Sequence, residues 1–294
     1  MESQLDERTI LAQFDRLVEQ GTVVYNDNYR VVQMSDKGFS FEFRILTTLT
    51  NKPQAARGQQ TDPSPEQSEC RPGSDINVAG YEVTDIGATH LLAVNKFPAA
   101  RPHLLILTQD GFRRQHEALA RDDISAARQV LAALTTRSLL LFNCGVESGC
   151  SRMHKHMHIL PAPAPDQVRL WPDAADPRVQ AGLPFRAFVH RFDNGLPAVD
   201  AIHDIYCGLL RRAERAAGRA AVDDGAALPH NVMMDRSWLV VVPRRAAGWN
   251  GADTNAAGML GMVWVHSEDR MKVWLEHGPA NVLGQLGVPG DTNL

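Results

Sequence analysis

Three histidines at alternate positions constrain the fold of this chain more than any other feature. His154, His156 and His158 alternate with a lysine, a methionine and an isoleucine. Side chains alternate between the two faces of a β-strand, so the spacing predicts a strand with all three imidazoles on one face, about 7 Å apart. Buried imidazoles need hydrogen-bond partners for their ring nitrogens. A row of three therefore indicates a functional site rather than core packing.

Two kinds of chemistry fit this row of histidines. Neutral imidazoles can bind zinc, or one imidazole can attack as a nucleophile while its neighbours bind the charged group under attack. The preceding segment, residues 143–151, is rich in glycine and serine. A loop of this composition can direct backbone N–H groups and the Ser151 hydroxyl at an anion. The loop favours a phosphate group, although the residues alone leave both alternatives open.

Four stretches of the chain carry a family resemblance. In chain order they are residues 95–98 with 101–108, residues 154–160, residues 183–190, and residues 231–238 with 241–244. Together they resemble the ATP adenylyltransferases (diadenosine tetraphosphate phosphorylases of the fungal type), a branch of the histidine-triad superfamily. The resemblance extends over residues 40–290, and its parts occur in the expected order.

The resemblance implies an α+β fold, in which helices pack on a histidine-triad-like antiparallel sheet related to that of the nucleotidyltransferase branch. It divides the chain into a catalytic region, residues 1–195, and an ATP adenylyltransferase C-terminal region, residues 196–294, packed on it. Apolar spacing predicts helices over residues 3–20, 110–136 and 200–215 and a helix-like run over 255–262. Strands are predicted at residues 22–25, 39–49, 90–95, 103–108 and 138–142, with a hairpin over 231–242.

The resemblance also implies a two-step reaction. His156 attacks the α-phosphorus of diadenosine tetraphosphate and expels ATP, and inorganic phosphate then removes the AMP from the ring as ADP. Histidine suits this role because a neutral imidazole is nucleophilic near pH 7. His154, together with Ser151 and the backbone of residues 149–152, is expected to hold the α-phosphate. Phosphorolysis of adenosine phosphosulfate is a second activity that the resemblance implies.

Further residues are assigned to substrate binding by the resemblance. They are Lys52, Asn95, Lys96, Asn143, Gly149, Cys150, Ser151, Arg152, Asn255, Ala256, Ala257, Met262 and His266. At His266 the chain departs from the family, which tends to have a lysine there, so the expectation of a fixed cation is weakened.

The third histidine, His158, is a second departure. Transferase branches of the superfamily usually have glutamine at this position, and hydrolytic branches usually have histidine. A glutamine amide donates to a phosphate oxygen without titrating, whereas a histidine can act as an acid or a base and assist water. Phosphorolysis is therefore the first prediction, with hydrolysis to ATP and AMP as the alternative.

Composition narrows the range of partners. The net charge of −4 provides no broad basic surface for nucleic acid or anionic membranes, and the chain has no long apolar run. Its four cysteines show no metal-binding spacing, and its N-terminal residues do not resemble a signal peptide. We expect an enzyme that binds diadenosine polyphosphates, ATP, ADP and phosphate. Its expected location is the cytoplasm, with the nucleus as an additional location. No tightly bound cofactor or metal site is expected, and Mg²⁺ is expected to arrive with the nucleotide. A zinc enzyme and a non-catalytic nucleotide-binding protein are the remaining alternatives.

Overall fold

The structure, a computed structural model, describes residues 5–27, 29–46, 70–164, 168–218 and 225–290. In chain order the elements are α1 (Glu7–Glu19), β1 (Arg30–Asp36), β2 (Phe39–Ile45), β3 (Glu82–Ile86), β4 (His90–Val94), β5 (Leu104–Thr108), α2 (Arg121–Ala133), β6 (Ser138–Cys144), β7 (His156–Pro161), α3 (Pro177–Ala181), β8 (Phe188–Arg191), α4 (Val199–Ala217), β9 (His230–Met234), β10 (Trp238–Pro243), β11 (Gly248–Trp249), β12 (Ala252–Asp253), α5 (Ala256–Met259), β13 (Met262–Val265), α6 (Glu268–His277) and α7 (Pro279–Leu286). Lys52 lies outside the described residues.

An eight-stranded antiparallel sheet forms the centre of the molecule, with strand order β3-β4-β5-β7-β6-β9-β10-β8. A smaller sheet, β1-β2-β13, combines an antiparallel hairpin with one parallel pair. Helices accompany both sheets, so the predicted α+β class with an antiparallel sheet is confirmed. The central sheet contains strands from both sides of residue 195, and the division into two regions stays a prediction.

The two faces of the central sheet bury different cores. One face packs against α1, α2 and α4; in α1, Ile10, Phe14 and Leu17 are spaced to lie on one side of the helix and are buried. The other face packs against β2, β13, α5 and α7. Burying a side chain of this size contributes about 1.5–3 kcal/mol, so the two cores fix the sheet from both sides. Within the described residues, no helix is both long enough and apolar enough to cross a membrane.

The predicted helix over residues 110–136 is wrong in its first half, because only Arg121–Ala133 is helical. The backbone before α2 pairs with the histidine segment instead of with itself. Gln115 N donates to the Met153 carbonyl at 2.8 Å, and Lys155 N donates to the Arg113 carbonyl at 3.1 Å. Helix spacing in the sequence carries no information about this long-range pairing.

Two other predicted elements differ from the structure. Residues 22–25 form no strand, although Val24 N donates to the Lys96 carbonyl. The helix-like run over residues 255–262 divides into α5 and the start of β13 at Gly261. Gly261 has φ +95°, and a Cβ there would lie 2.3 Å from the Ser40 carbonyl oxygen, so β13 can approach β2 only with glycine at this position. The other predicted helices and strands are present with shifted ends.

Candidate active site

Strand β7 presents two of the three histidines side by side. His156 opens the strand opposite Leu107 of β5, and His158 lies between Leu105 of β5 and Leu141 of β6. Residues Met157 and Ile159 point into the core on the helix-covered face, as the alternation predicts. The rings of His156 and His158 lie edge to face, with centroids 5.0 Å apart. The two imidazoles therefore share the face that the C-terminal elements cover.

The orientation of His156 follows from one hydrogen bond. Its Nδ1 lies 2.8 Å from the carbonyl oxygen of His154. A carbonyl can only accept, so Nδ1 carries the proton and Nε2 keeps the lone pair. Nε2 is therefore the nucleophilic atom of a neutral ring, and the His154 carbonyl stabilises the positive charge that develops on Nδ1–H when Nε2 attacks.

The side chain of Gln115 holds the site end of β7 against β6. Its Oε1 accepts from His156 N at 2.7 Å, and its Nε2 donates to the carbonyls of His156 and Asn143, each at 3.0 Å. Direct pairing between the two strands stops at Leu141 and His158. Gln115 is buried and replaces the missing ladder bonds next to the nucleophile.

The ring of His154 makes its hydrogen bonds within the protein. This residue precedes β7, and both of its ring nitrogens form hydrogen bonds with hydroxyl groups of the protein. Nδ1 lies 2.8 Å from Ser74 Oγ, and Nε2 lies 2.9 Å from Thr108 Oγ1. Burial lowers the pKa of this imidazole below its ordinary value. Because both ring nitrogens have hydroxyl partners in the protein without substrate, the contact of the ring with the α-phosphate stays a prediction. The contact of His154 with His156 is made by its carbonyl.

The glycine-rich loop begins where β6 ends. Its second glycine, Gly149, has φ +84°, and a Cβ there would lie 2.6 Å from the Thr254 carbonyl oxygen. The loop thus packs directly on the segment that leads into α5. Ser151 is exposed, and Arg152 and Cys150 are half-buried. Burial raises the pKa of the Cys150 thiol to about 11, so this cysteine is a neutral thiol near pH 7.

Asn143 joins this loop region to the C-terminal elements. Its Oδ1 accepts from Asn231 Nδ2 at 2.8 Å and from the backbone N–H of Ala256 at 2.9 Å. Asn255 caps α5 by accepting from Ala257 N at 3.0 Å. The structure therefore brings together Asn143 and three of the predicted C-terminal residues. Because the N–H groups of Ala256 and Ala257 are bonded and both side chains are buried, these two alanines support the site.

Arg244 is buried behind the same loop. Its guanidinium donates to Asn231 Oδ1 at 2.6 Å and to the carbonyls of Thr254 at 3.0 Å and Ser148 at 3.4 Å. In the described part of the chain it donates to neutral oxygens, which include the carbonyls of Leu286 and Ala246, and burial lowers its pKa to about 9. An arginine that is still charged near pH 7 therefore adds positive potential behind the loop that is expected to bind phosphate.

The remaining predicted residues are spread around this centre. Asn95 lies beside His103, which contacts His158, whereas Lys96 is exposed with its Nζ 5.8 Å from the centre of the Phe97 ring. The side chain of Met262 is buried in the second core, and its contact with the nucleotide stays a prediction. His266 is half-buried between β13 and α6.

Sequence reasoning gave no role to several residues that build the site. Gln115 and Arg244 contact backbone groups, and no sequence motif indicates these contacts. His103 lies two residues before Leu105, which pairs with His158 across the two strands. A histidine next to the predicted histidine strand could have indicated this contact with His158. Trp264 of β13 lies near it, with ring centroids 6.1 Å apart. Trp264 Nε1 is the one buried side-chain nitrogen or oxygen that lacks a hydrogen-bond partner among the described residues.

The face opposite the histidines carries a buried ion pair. Lys155 Nζ lies 2.7 Å from Asp123 Oδ2 and donates to the Ala118 carbonyl at 2.6 Å. Burial alone would raise the pKa of Asp123, but the hydrogen bond with His90 and the charge of Lys155 outweigh it and lower the pKa to about 2. The pair ties the segment before β7 to the N-terminal turn of α2.

The zinc alternative can be compared with the positions of the three histidine rings. Among the residues whose positions the structure gives, no group of three or more histidine, cysteine, aspartate or glutamate side chains could hold a metal ion. The zinc alternative needed all three histidine rings, and the ring of His154 is engaged by two hydroxyl groups.

Comparisons with known proteins agree with the resemblance. A family model described as the Ap4A phosphorylase N-terminal domain matches residues 9–173, and one described as the ATP adenylyltransferase C-terminal domain matches residues 181–289. Diadenosine 5',5'''-P1,P4-tetraphosphate phosphorylase 2 of Saccharomyces cerevisiae is 27% identical over 271 residues, which are 82% of this chain and 82% of the yeast protein. Protein APA1 of the same yeast is 26% identical over 246 residues, covering 76% and 75% of the two chains.

Solved structures show the same fold. The crystal structure of yeast Ap4A phosphorylase Apa2 in complex with AMP matches with a TM-score of 0.77 at 22% identity, covering 100% of this chain and 99% of the other. The structure of Apa2 in complex with Ap4A matches with a TM-score of 0.75 at 21% identity, covering 98% and 99%.

Proposed function

The chain belongs to the Ap4A phosphorylase family, and we propose that it cleaves diadenosine 5',5'''-P1,P4-tetraphosphate (Ap4A) with inorganic phosphate to ATP and ADP. The observation that carries the mechanism is the hydrogen bond of 2.8 Å between His156 Nδ1 and the His154 carbonyl. It leaves the lone pair on Nε2, which is the form of histidine that a covalent nucleotidyl transfer requires.

In the first step, His156 Nε2 attacks the α-phosphorus of one AMP unit. The new bond is P–N, and the bond between that phosphorus and the bridging oxygen to the neighbouring phosphate breaks. ATP departs with this bridging oxygen, so no proton has to be supplied to the leaving group. The ring keeps its Nδ1 proton, and the His154 carbonyl stabilises the resulting imidazolium character.

In the second step, an oxygen of inorganic phosphate attacks the same phosphorus and the P–N bond breaks. The product is ADP, and His156 returns with its lone pair on Nε2. The protein has to place negative groups in line and neutralise their charge, since positioning and electrostatics dominate phosphoryl-type transfer. Gln115 positions the nucleophile, and Arg244 adds positive potential behind the glycine-rich loop.

Three parts of the proposal rest on family resemblance and chemistry rather than on a contact. Ser151, which is exposed, and the backbone of residues 149–152 are assigned to the α-phosphate. Lys52, outside the described residues, is assigned to a substrate phosphate. Mg²⁺ is assigned to the polyphosphate chain, where two or more phosphate oxygens can share it with water.

Product analysis with and without phosphate tests the proposal. Purified protein is incubated with Ap4A, and the nucleotides are separated at successive times. We expect equal amounts of ATP and ADP with phosphate present, with one equivalent of ATP per enzyme at most without it. His156→Ala should abolish turnover, while His190→Ala, on the exposed edge of β8, should retain it. Continued formation of ATP and AMP without phosphate would instead establish the hydrolase alternative.

A further inference from the structure

His158 and His103 form a pair whose proton positions can be assigned from their partners. The backbone N–H of Ala99 lies 3.2 Å from His103 Nδ1 and donates to it. An N–H can only donate, so Nδ1 of His103 holds a lone pair and the proton of the neutral ring is on Nε2. This Nε2 lies 3.0 Å from His158 Nδ1. His103 therefore donates to His158, whose own proton must be on Nε2.

Asn95, a neighbour of His103 among the described residues, is the donor that argues for another assignment. Its Nδ2 lies 3.3 Å from His103 Nε2, while its Oδ1 accepts from Phe97 N at 3.0 Å and fixes the orientation of the amide. A bond from Asn95 to His103 Nε2 would require the lone pair there and the proton on Nδ1, facing the Ala99 N–H. The backbone donor excludes that tautomer. The Asn95 amide and the protonated His103 Nε2 are thus two donors that face each other without a hydrogen bond. The shorter contact of His103 Nε2, to His158 Nδ1, is the hydrogen bond.

We propose that His103 holds His158 in the neutral tautomer with its proton on Nε2, so that His158 serves the transfer as a fixed N–H donor to phosphate oxygen and cannot act as a base toward water. The inference rests on the proposed function, which it deepens. His103 is a positioning residue, since it acts through His158, whose ring lies 5.0 Å from that of the nucleophile.

Two physical consequences follow from this tautomer. A base that activates water needs a lone pair directed at the water, and the lone pair of His158 is taken by the proton from His103. Adding a proton to His158 Nδ1 would place two N–H groups against each other at 3.0 Å. The pair therefore opposes both the basic and the acidic function of His158. An amide of glutamine donates in the same way without titrating, so a histidine in this setting is compatible with phosphorolysis.

Two-bond ¹H–¹⁵N spectra of the histidine rings in the protein without substrate test the tautomer directly. In the wild type we expect His158 Nε2 to have the shift of a protonated nitrogen and Nδ1 that of an acceptor. His158→Gln identifies the signals. In His103→Phe, the signals of His158 should become an average of both tautomers. A wild-type His158 with its proton on Nδ1 would overturn the proposal. This result does not depend on whether Ap4A is the substrate.

The partition of the adenylylated enzyme between phosphate and water tests the consequence for chemistry. A positioned base contributes about 100-fold or more to a rate, and in His103→Phe only part of the His158 population has the basic tautomer. The ratio of AMP to ADP at a fixed phosphate concentration should therefore rise about 10-fold or more in this variant. His103→Gln, whose amide can donate to His158 in place of the ring, should restore the wild-type ratio. His190→Phe on the exposed edge of β8 is the control.

A purely structural role would lower both rates and leave the ratio of AMP to ADP unchanged. That outcome in His103→Phe, with a folded protein by circular dichroism, would overturn the proposal. If neither product forms in the wild type, the proposed function fails, and the ring spectra still decide the tautomer.

Discussion

Replacing Gln115 by methionine tests whether its amide, rather than its bulk, positions the nucleophile. Methionine is similar in length and volume but offers no donor or acceptor of comparable strength. The substitution would leave three buried backbone groups without their present partner: His156 N–H, His156 C=O and Asn143 C=O.

The magnitude follows from the number of groups that lose a partner. An unsatisfied buried group costs about 1–3 kcal/mol, so we expect the free energy of unfolding to fall by about 3 kcal/mol or more. The start of β7 is also released from β6, and a displacement of about 1 Å at a reacting atom can cost about 100-fold in rate. We expect kcat for phosphorolysis of Ap4A to fall on that scale.

The assay combines urea unfolding with the initial rate of ATP formation at saturating phosphate. Gln129→Met is the matched control, because Gln129 is exposed on α2. If Gln115→Met lost less than about 1 kcal/mol, as surface substitutions do, and kept the kcat of the control, the positioning role of the amide would be refuted.

Other features of the fold give three further predictions. Gly149→Ala should reduce the rate of phosphorolysis about 10-fold or more, because the added Cβ would lie 2.6 Å from the Thr254 carbonyl oxygen. Gly21→Ala is the control: Gly21 has φ +69° and open space around it, so the variant should lose about 1–2 kcal/mol of stability and keep the rate of phosphorolysis. Asp123→Asn removes the nearest carboxylate of the buried Lys155, leaving Glu117 Oε2 at 3.8 Å, and should destabilise the protein by about 3 kcal/mol in thermal unfolding. Asp122→Asn should have a small effect. Burial lowers the pKa of His230 from 6.5 to about 4, so the neutral folded form is favoured above pH 6.5 and stability is lost as pH falls toward 4, by about 3 kcal/mol. Urea unfolding at pH 7 and pH 4.5 checks this, and His230→Asn should remove that part of the pH dependence.

The strand that carries the histidines could be predicted from the sequence because its signal is local. Alternation places His156 and His158 on one face and Met157 and Ile159 on the other, and the structure shows this arrangement. Helices α1 and α4 likewise follow from apolar spacing within one segment.

The supporting contacts could not be predicted, because they join residues far apart in the chain. Gln115 reaches His156 across 41 positions, and Arg244 reaches Ser148 across 96. Contacts with distant residues also explain why the ring of His154 is not presented beside the rings of His156 and His158. Its segment pairs with residues before α2, and its ring meets Ser74, 80 positions away. Periodicity describes which face a side chain takes and gives no information on such partners.

Tracing labelled phosphate through one turnover tests the central claim, transfer of AMP through His156 to inorganic phosphate. The enzyme is first given Ap4A without phosphate, and the adenylylated peptide is identified by mass spectrometry. Phosphate carrying ³²P is then added and the products are separated. The account predicts AMP on the peptide that contains His156, and label in the β-phosphate of ADP with none in ATP. Label in neither nucleotide, with AMP released by water, or adenylylation that persists in His156→Ala, would contradict it.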